Sequence, residues 1–333
     1  MFSFQNIFYK FAFLGLNLLI SSFCLGNLLN AQTIYPIKPI KILVPNAAGG
    51  AADITARTLA QKLSDSIGQQ VIIENKPTAG GIAAAEQVSK SEPDGHTLLL
   101  ISSGTAVSAA LFKSLPFDTL KDFTPITKLA IFDLVIAVSE SSRFKNLSDL
   151  ITFAKSNPGK LNIGTPQIGT TQNLAAELFI STAGISAQII PFNGTPPVIN
   201  ALRGNEIDVM IDILGPLLPQ IKSNFLRPLS LMGEKRFTLL PDTPTLRELG
   251  GNFSQLSVAS WNGLAAPSKT PKEVISKLNI EIQSILNSKD FISKLSDLNV
   301  TVQGSTSEQA FDLLNNDIKR WRNVIERSKI EKQ

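Results

Sequence analysis

The stretch Ile40-Lys41-Ile42-Leu43-Val44-Pro45-Asn46-Ala47-Ala48-Gly49-Gly50-Ala51-Ala52-Asp53 decides the fold. Five residues of strand character run into a turn made of Pro, Asn and paired Gly. Asp53 then opens a helix whose apolar face is Ala56, Leu59, Ala60 and Leu63. Downstream, Val71-Ile72-Ile73 reads as the next strand, ended by Asn75-Lys76-Pro77 and Gly80-Gly81. A short helix over 82–88 follows, and Pro93-Asp94-Gly95 turns into the strand His96-Thr97-Leu98-Leu99-Leu100-Ile101. Strands that are nearly continuous apolar runs, alternating with helices, predict parallel strands covered on both faces in an α/β architecture.

The same grammar restarts after Val135-Ile136-Ala137-Val138. Asn146-Leu147-Ser148-Asp149 predicts a helix cap ahead of Leu150, Ile151 and Ala154. Leu161-Asn162-Ile163, Gln188-Ile189-Ile190 and Ile207-Asp208-Val209-Met210-Ile211 read as three more strands separated by helices. Near the end, Thr270-Pro271-Lys272-Glu273 predicts a capping box with Pro at the first helical position, before Ile275, Leu278, Ile282 and Ile285. A second box is expected over 305–308, before a helix with Phe311, Leu314, Ile318, Trp321 and Ile325 on its core face. No repeat of fixed period and no low-complexity linker separates the two α/β units.

With 333 residues the chain is long enough for two domains, since single cores rarely grow past about 250–300 residues. One Cys and one His exclude an intramolecular disulfide and every multi-cysteine metal site, and leave one imidazole at most for a triad. A net charge of +4, from 31 Lys and Arg against 27 Asp and Glu, is too dilute to indicate nucleic-acid binding. No cofactor and no metal site is expected.

Between Lys10 and Lys38 no residue is charged, and Phe11-Ala12-Phe13-Leu14-Gly15-Leu16-Asn17-Leu18-Leu19-Ile20 has the length of a signal-peptide core. Cleavage near Ala31 is the expectation, which makes 1–31 a signal peptide and removes the only cysteine. An uncleaved anchor fits less well because Gly15, Asn17, Gly26, Asn27 and Asn30 interrupt the apolar run. A lipid on Cys24 is disfavoured by the bulky Phe23 before it. The chain is therefore expected outside the cytoplasm.

In open α/β sheets, ligands bind where strands end and helices begin. Four such junctions here are rich in small residues: 45–53, Ser102-Ser103-Gly104-Thr105, 164–172 and Phe192-Asn193-Gly194-Thr195. Small residues let a ligand approach the backbone, and N–H groups at helix starts attract anions. Ser103, Thr105, Thr170 and Thr171 add hydroxyls, and none of the four loops holds Arg or Lys. Asp53 is the one acid of the first loop. It could pair with a ligand amine and favour amino acids; the plainer reading is a first-turn acid stabilised by the helix dipole. Any one such loop is commonly only a turn, and four at equivalent places carry the argument.

Two enzyme readings fit less well. Glu74 ends the second strand where a dinucleotide fold places its ribose-binding acid, yet 45–53 contains no G-x-G-x-x-G. A serine hydrolase would need His96 as base, but no G-x-S-x-G elbow is present, and His96 reads as a structural histidine at a strand start. Asp208 and Asp212 flank one strand and read as structural acids.

The chain resembles the Bug family, the solute receptors of tripartite tricarboxylate transporters. The resemblance rests on Tyr35-Pro36-Ile37-Lys38-Pro39-Ile40, on the first loop from Val44 to Asp53, on Glu74-Asn75-Lys76-Pro77 and on Pro93-Asp94-Gly95. It continues through Pro158-Gly159-Lys160-Leu161-Asn162, Gly169-Thr170-Thr171 and Ala175-Ala176-Glu177-Leu178-Phe179. Leu240-Pro241-Asp242-Thr243-Pro244-Thr245, Ser260-Trp261-Asn262-Gly263-Leu264-Ala265-Ala266-Pro267 and Thr270-Pro271 complete it.

The resemblance implies a two-lobed periplasmic binding protein fold of type II, each lobe a mostly parallel sheet flanked by helices. Residues 32–130 with 250–333 would form one lobe and 131–249 the other. It implies a non-catalytic receptor, acting as a monomer, that captures a small carboxylate (a di- or tricarboxylate, an acidic amino acid or an aromatic acid) and delivers it to a membrane permease. A receptor presenting its ligand to a sensor is the alternative, and an exported α/β enzyme a more distant one. Carried onto this chain, the carboxylate would be gripped by the backbone at Asn46, Ala47, Ala48, Gly49 and Gly50. Gly169, Thr170 and Thr171 would face them, with Phe192 and Asn193 as pocket wall; Trp261, near the return crossing, is expected as core packing. Ala47-Ala48, Phe192-Asn193-Gly194 and His96 depart from the residues usual in the family, so the preference among acids is left open.

Overall fold

The computed structural model describes residues 35–333, and the expected signal peptide, with Cys24, lies outside the described residues. Strands β1 (Ile40–Val44), β2 (Val71–Asn75) and β3 (Thr97–Ser102) pair in parallel in the order β2-β1-β3. Helices α1 (Ala51–Ile67) and α2 (Ile82–Ser89) connect them, and α3 (Ser103–Leu111) follows β3. In α1 the residues predicted for the core face, Ala56, Leu59, Ala60 and Leu63, are all buried.

The second parallel group has the order β7-β5-β6, from β5 (Leu161–Thr165), β6 (Ala187–Pro191) and β7 (Val209–Ile213). Helices α4 (Leu147–Ser156), α5 (Thr171–Ala183) and α6 (Thr195–Arg203) alternate with these strands. Asn146 caps α4 as predicted, its side chain accepting from the Asp149 N–H. The strand expected over 207–211 runs two residues later, because Asp208 stands outside it with its carboxylate on the Asn162 N–H.

Between the parallel groups lie antiparallel strands, and one of them belongs to both halves. Strand β4 (Phe123–Ser139) is 17 residues long, of which the sequence pattern exposes only the last apolar run. Up to Asp133 it pairs with β9 (Ala259–Pro267); from Leu134 onward it pairs with β7 and with β8 (Leu226–Leu231). Pro125 lies where the β4–β9 register shifts, so its missing N–H falls at an irregularity rather than in a regular ladder. The chain returns to the first half beside this crossing: Met232 N–H donates to Leu134 O, and Val258 N–H to Met232 O. The result is a two-lobed α/β fold with a mixed sheet, the type II binding-protein architecture.

Further elements are α7 (Leu218–Lys222), α8 (Lys272–Leu286), α9 (Lys289–Ser296), β10 (Val300–Val302) and α10 (Ser307–Arg327), with short 3-10 turns between some of the others. Leu314, Ile318, Trp321 and Ile325 of α10 are buried, as their spacing predicts, while Phe311 is half-buried. Both expected capping boxes need correction. Thr270 N–H turns onto Pro267 O, which leaves Thr270 outside α8; Pro271 is the cap residue and no side chain caps that helix. At α10 the box is Thr306 with Gln309, one residue later than expected, because Ser305 is tied to β4 through Thr127 and Lys128.

Candidate functional site

The four junctions singled out in the sequence meet around one cavity of about 50 Å³. Asn46, Ala47 and Gly50 enter from the β1–α1 loop with the first residues of α1, and Ser102 and Gly104 from the end of β3. The facing half supplies Gln167, Thr170, Thr171 and Gln172 around the start of α5, and Gly194 and Thr195 at the start of α6. Phe132, Ile213, Ser260, Trp261 and Asn262 from the central strands form the back wall. An adjoining space of about 20 Å³ includes Gly80, Thr105, Ser108 and Gly169.

A helix leaves its first N–H groups without partners inside the helix, and its aligned peptide dipoles make that end positive. Four helices, α1, α3, α5 and α6, begin at this cavity or beside it. The convergence makes an anion site out of neutral groups, and no Lys or Arg lines it.

The two halves touch over the cavity. Gly80 N–H donates to Ile168 O at 2.9 Å, and the Ser108 hydroxyl lies 2.9 Å from Gly80 O and 3.2 Å from Gly169 O. Gly169 has φ +82° and a Cβ there would stand 2.7 Å from Gly80 Cα, so only glycine permits this approach. Gly194, at φ +97°, meets Ala47 in the same way, a Cβ standing 2.6 Å from the Ala47 Cβ.

Of the residues expected to bind ligand, Asn46, Ala47, Gly50, Thr170 and Thr171 line the main cavity, and Thr105 and Gly169 the adjoining space. The others line neither. Ala48 and Gly49 form the exposed tip of the first loop. Asp53 is buried and faces its own loop: Oδ2 accepts from Gly49 N–H at 3.0 Å, and Oδ1 accepts from Arg57 Nε and Asn75 Nδ2, each at 2.9 Å. Burial raises its pKa, but the bonds from Arg57, Gly49 and Asn75 outweigh that and hold the carboxyl below its ordinary range.

Ser103 points into the core, where its hydroxyl donates to Asp317 Oδ2 at 2.7 Å; its neighbours Ser102 and Gly104 face the cavity instead. Phe192 packs on the apolar core of the second half, and Asn193 accepts from Gln167 Nε2 at 2.9 Å. Thr170 lines the cavity, but its hydroxyl is the cap of α5, donating to Gln167 O and accepting from Asn173 N–H. Thr105 likewise accepts from Ser102 N–H.

Trp261, expected as core packing, is 6% exposed and also lines the cavity. Its indole N–H donates to Asp317 Oδ2 at 2.9 Å, so the buried carboxylate of α10 fixes Trp261 and Ser103 together. Gln172, Ser260, Asn262 and the buried Asp212 behind Gln172 were not singled out as site residues. The signal for Asn262 and Asp212 is a polar residue inside an apolar strand; Gln172 has only its place in the first turn after Thr170.

Outside the cavity, His96 is buried at the start of β3, its Nδ1 3.3 Å from Asp94 and its N–H bonded to the same oxygen. Glu74 pairs with Lys41 and Lys76, so it is engaged away from any ribose site. Among the described residues there is no group of three or more His, Cys, Asp or Glu able to hold a metal ion. No helix among them is long and apolar enough to cross a membrane.

Comparison with known proteins adds four matches. The family model described as "Tripartite tricarboxylate transporter family receptor" matches residues 55–330. Protein BugT of Bordetella pertussis is 32% identical over 293 residues, covering 87% of this chain and 89% of BugT. Among solved structures, R. palustris Rpa4515 with adipate has a TM-score of 0.86 at 28% identity, covering 89% of this chain and 99% of that one. MatC (Rpa3494) from Rhodopseudomonas palustris with bound malate has a TM-score of 0.81 at 30% identity, covering 87% and 100%.

Proposed function

The chain belongs to the receptor family of tripartite tricarboxylate transporters, and on that premise we propose that it captures one small carboxylate between its halves and delivers it to the membrane permease of such a transporter. Family and fold are those of periplasmic solute receptors rather than enzymes. The observation that carries the reading is the convergence of four helix starts on one cavity with no basic side chain lining it. Backbone N–H groups hold a carboxylate with modest strength, which suits capture followed by release. Relatives of the same fold bind adipate and malate, both small dicarboxylates.

In this reading 32–130 and 250–333 form one lobe and 131–249 the other. The change of partners of β4 near Asp133 supports that division. An anion touching both lobes is bound more tightly when they are together, so occupancy shifts the population toward the closed form. Ligand binding falls to Asn46, Ala47, Gly50, Thr171 and the first-turn amides of α1 and α5, while Asp53, Ser103 and Thr170 hold the loops. One chain supplies both faces of the cavity, which supports action as a monomer. Residues 1–31 act as the export signal, cleaved near Ala31.

The test is calorimetry on the purified protein, unfolded and refolded to strip bound ligand. The titrants are mono-, di- and tricarboxylates, acidic amino acids and aromatic acids. Saturable one-to-one binding of one class, with the ligand recovered unchanged, is the expected result. Folded protein silent to every acid would contradict the reading, and recovery of a converted ligand would replace it with an enzyme.

A further inference from the structure

The cavity is rich in donors, so an acceptor fixed in its wall selects among ligands. Gln172 lines the cavity from the first turn of α5, and its Nε2 donates to Asp212 Oδ1 at 2.9 Å. Asp212, on β7, is completely buried; the same oxygen also accepts the Ile213 N–H at 2.7 Å. Its Oδ2 makes no hydrogen bond, although the Thr195 side chain stands near enough to favour the ionised carboxylate.

An ionised carboxylate only accepts hydrogen bonds. The carboxamide of Gln172 must therefore turn its NH₂ toward Asp212, which leaves its carbonyl Oε1 for the cavity. Among the described residues none donates to that oxygen. From the facing half, Asn262 lines the same cavity; it is 1% exposed, and its buried Oδ1 has no hydrogen-bond partner. A plain dicarboxylate has only acceptors and leaves both oxygens unmatched. A ligand carrying a hydroxyl on its chain donates to one of them.

We propose that Gln172, oriented by Asp212, is a specificity-determining residue that selects short hydroxy acids over the same acids without the hydroxyl. An ammonium group would also donate. The hydroxyl is favoured because no acidic side chain lines the cavity while four helix starts make it positive, so a cation there would lack its counter-charge. The inference deepens the carboxylate-receptor reading and rests on it. Asp212 acts here as a positioning residue, through the amide of Gln172.

The experiment measures ratios of affinity by calorimetry on the purified, refolded protein. Malate is compared with succinate, 2-hydroxyglutarate with glutarate, and aspartate is the amino counterpart of malate. The hydroxy acid of at least one pair is expected to bind about tenfold or more tightly than its parent. In Gln172→Leu the preference falls to within about threefold, because the acceptor is lost, whereas the simultaneous loss of the bond to Asp212 acts on both acids of a pair alike and leaves their ratio unaffected. In Asp212→Asn the amide can turn either way, and the preference is expected to fall again.

A merely structural role would lower all affinities together and leave the ratios intact, so circular dichroism and the ratio are read for each variant. Equal binding of hydroxy acid and parent by the unaltered protein overturns this inference alone, as does tighter binding of aspartate than of malate. Unchanged ratios in both variants overturn it too. Folded protein that binds none of the five acids overturns the carboxylate-receptor reading for short acids, and this inference with it.

Discussion

Asp53 and Asp212 are buried carboxylates near the cavity, one in each half, and their surroundings differ. Asp53 accepts three hydrogen bonds spread over both of its oxygens, and despite burial its pKa stays below the ordinary value. Asp212 is buried more deeply and places both of its well-formed bonds on one oxygen. Burial therefore pushes it up to about 6, with Gln172, the Ile213 N–H and Thr195 offsetting only part of the cost. The first carboxylate holds a loop in shape. The second leaves an oxygen unmatched and directs one side chain toward the ligand. Burial alone does not separate structural acids from selective ones; the count of donors does.

The strongest way to break this comparison is to remove Asp53. Asp53→Ala strips the partner from the Gly49 N–H and from the Asn75 amide and unpairs Arg57, and is expected to cost about 3 to 4 kcal/mol of stability. Denaturant unfolding measures it, and a loss below about 1 kcal/mol would mean the loop does not depend on this carboxylate.

Asp212 makes an opposite demand on pH. Its folded pKa is raised above the unfolded value, so its contribution to stability is complete below pH ~4 and is lost as pH rises through about 6. Compared with Asp212→Asn, the unaltered protein should gain up to about 3 kcal/mol as pH falls from 7 to 4. Unfolding curves of the pair at several pH values check this. A flat difference would place Asp212 with Asp53 as a satisfied acid.

Closure is next. Gly169→Ala drives a Cβ toward Gly80 where the halves meet, and is expected to weaken carboxylate binding about tenfold by calorimetry, chiefly by raising the energy of the closed form. The smallest effect is a control away from the cavity. Asn146→Ala removes the cap of α4 and should cost about 1 kcal/mol in denaturant unfolding with ligand affinity unchanged.

The alternating elements were legible because apolar runs, glycine turns and the 3.6-residue stripe of α10 are local properties of the chain. The 17-residue β4 was not, since its first half mixes apolar and polar residues without a regular period, contains Pro125 and is a strand only through pairing with β9, more than a hundred residues away. At the site, the four junctions were readable as loops, but the direction of each side chain was not. Ser102 and Ser103 look alike in sequence; where β3 passes into α3, one faces the cavity and the other faces Asp317. Asp53 and Asp212 are both acids beside apolar runs. Only the donors that the fold brings to them, from Asn75 in one case and Gln172 in the other, tell them apart.

The most direct test of anion capture by helix starts is a pair of calorimetric titrations of the stripped protein, one with malate and one with its dimethyl ester. The ester keeps the carbon chain and hydroxyl and lacks the negative charge. Saturable one-to-one binding of malate with none of the ester is the predicted result; equal binding of the two, or of the ester alone, would contradict it.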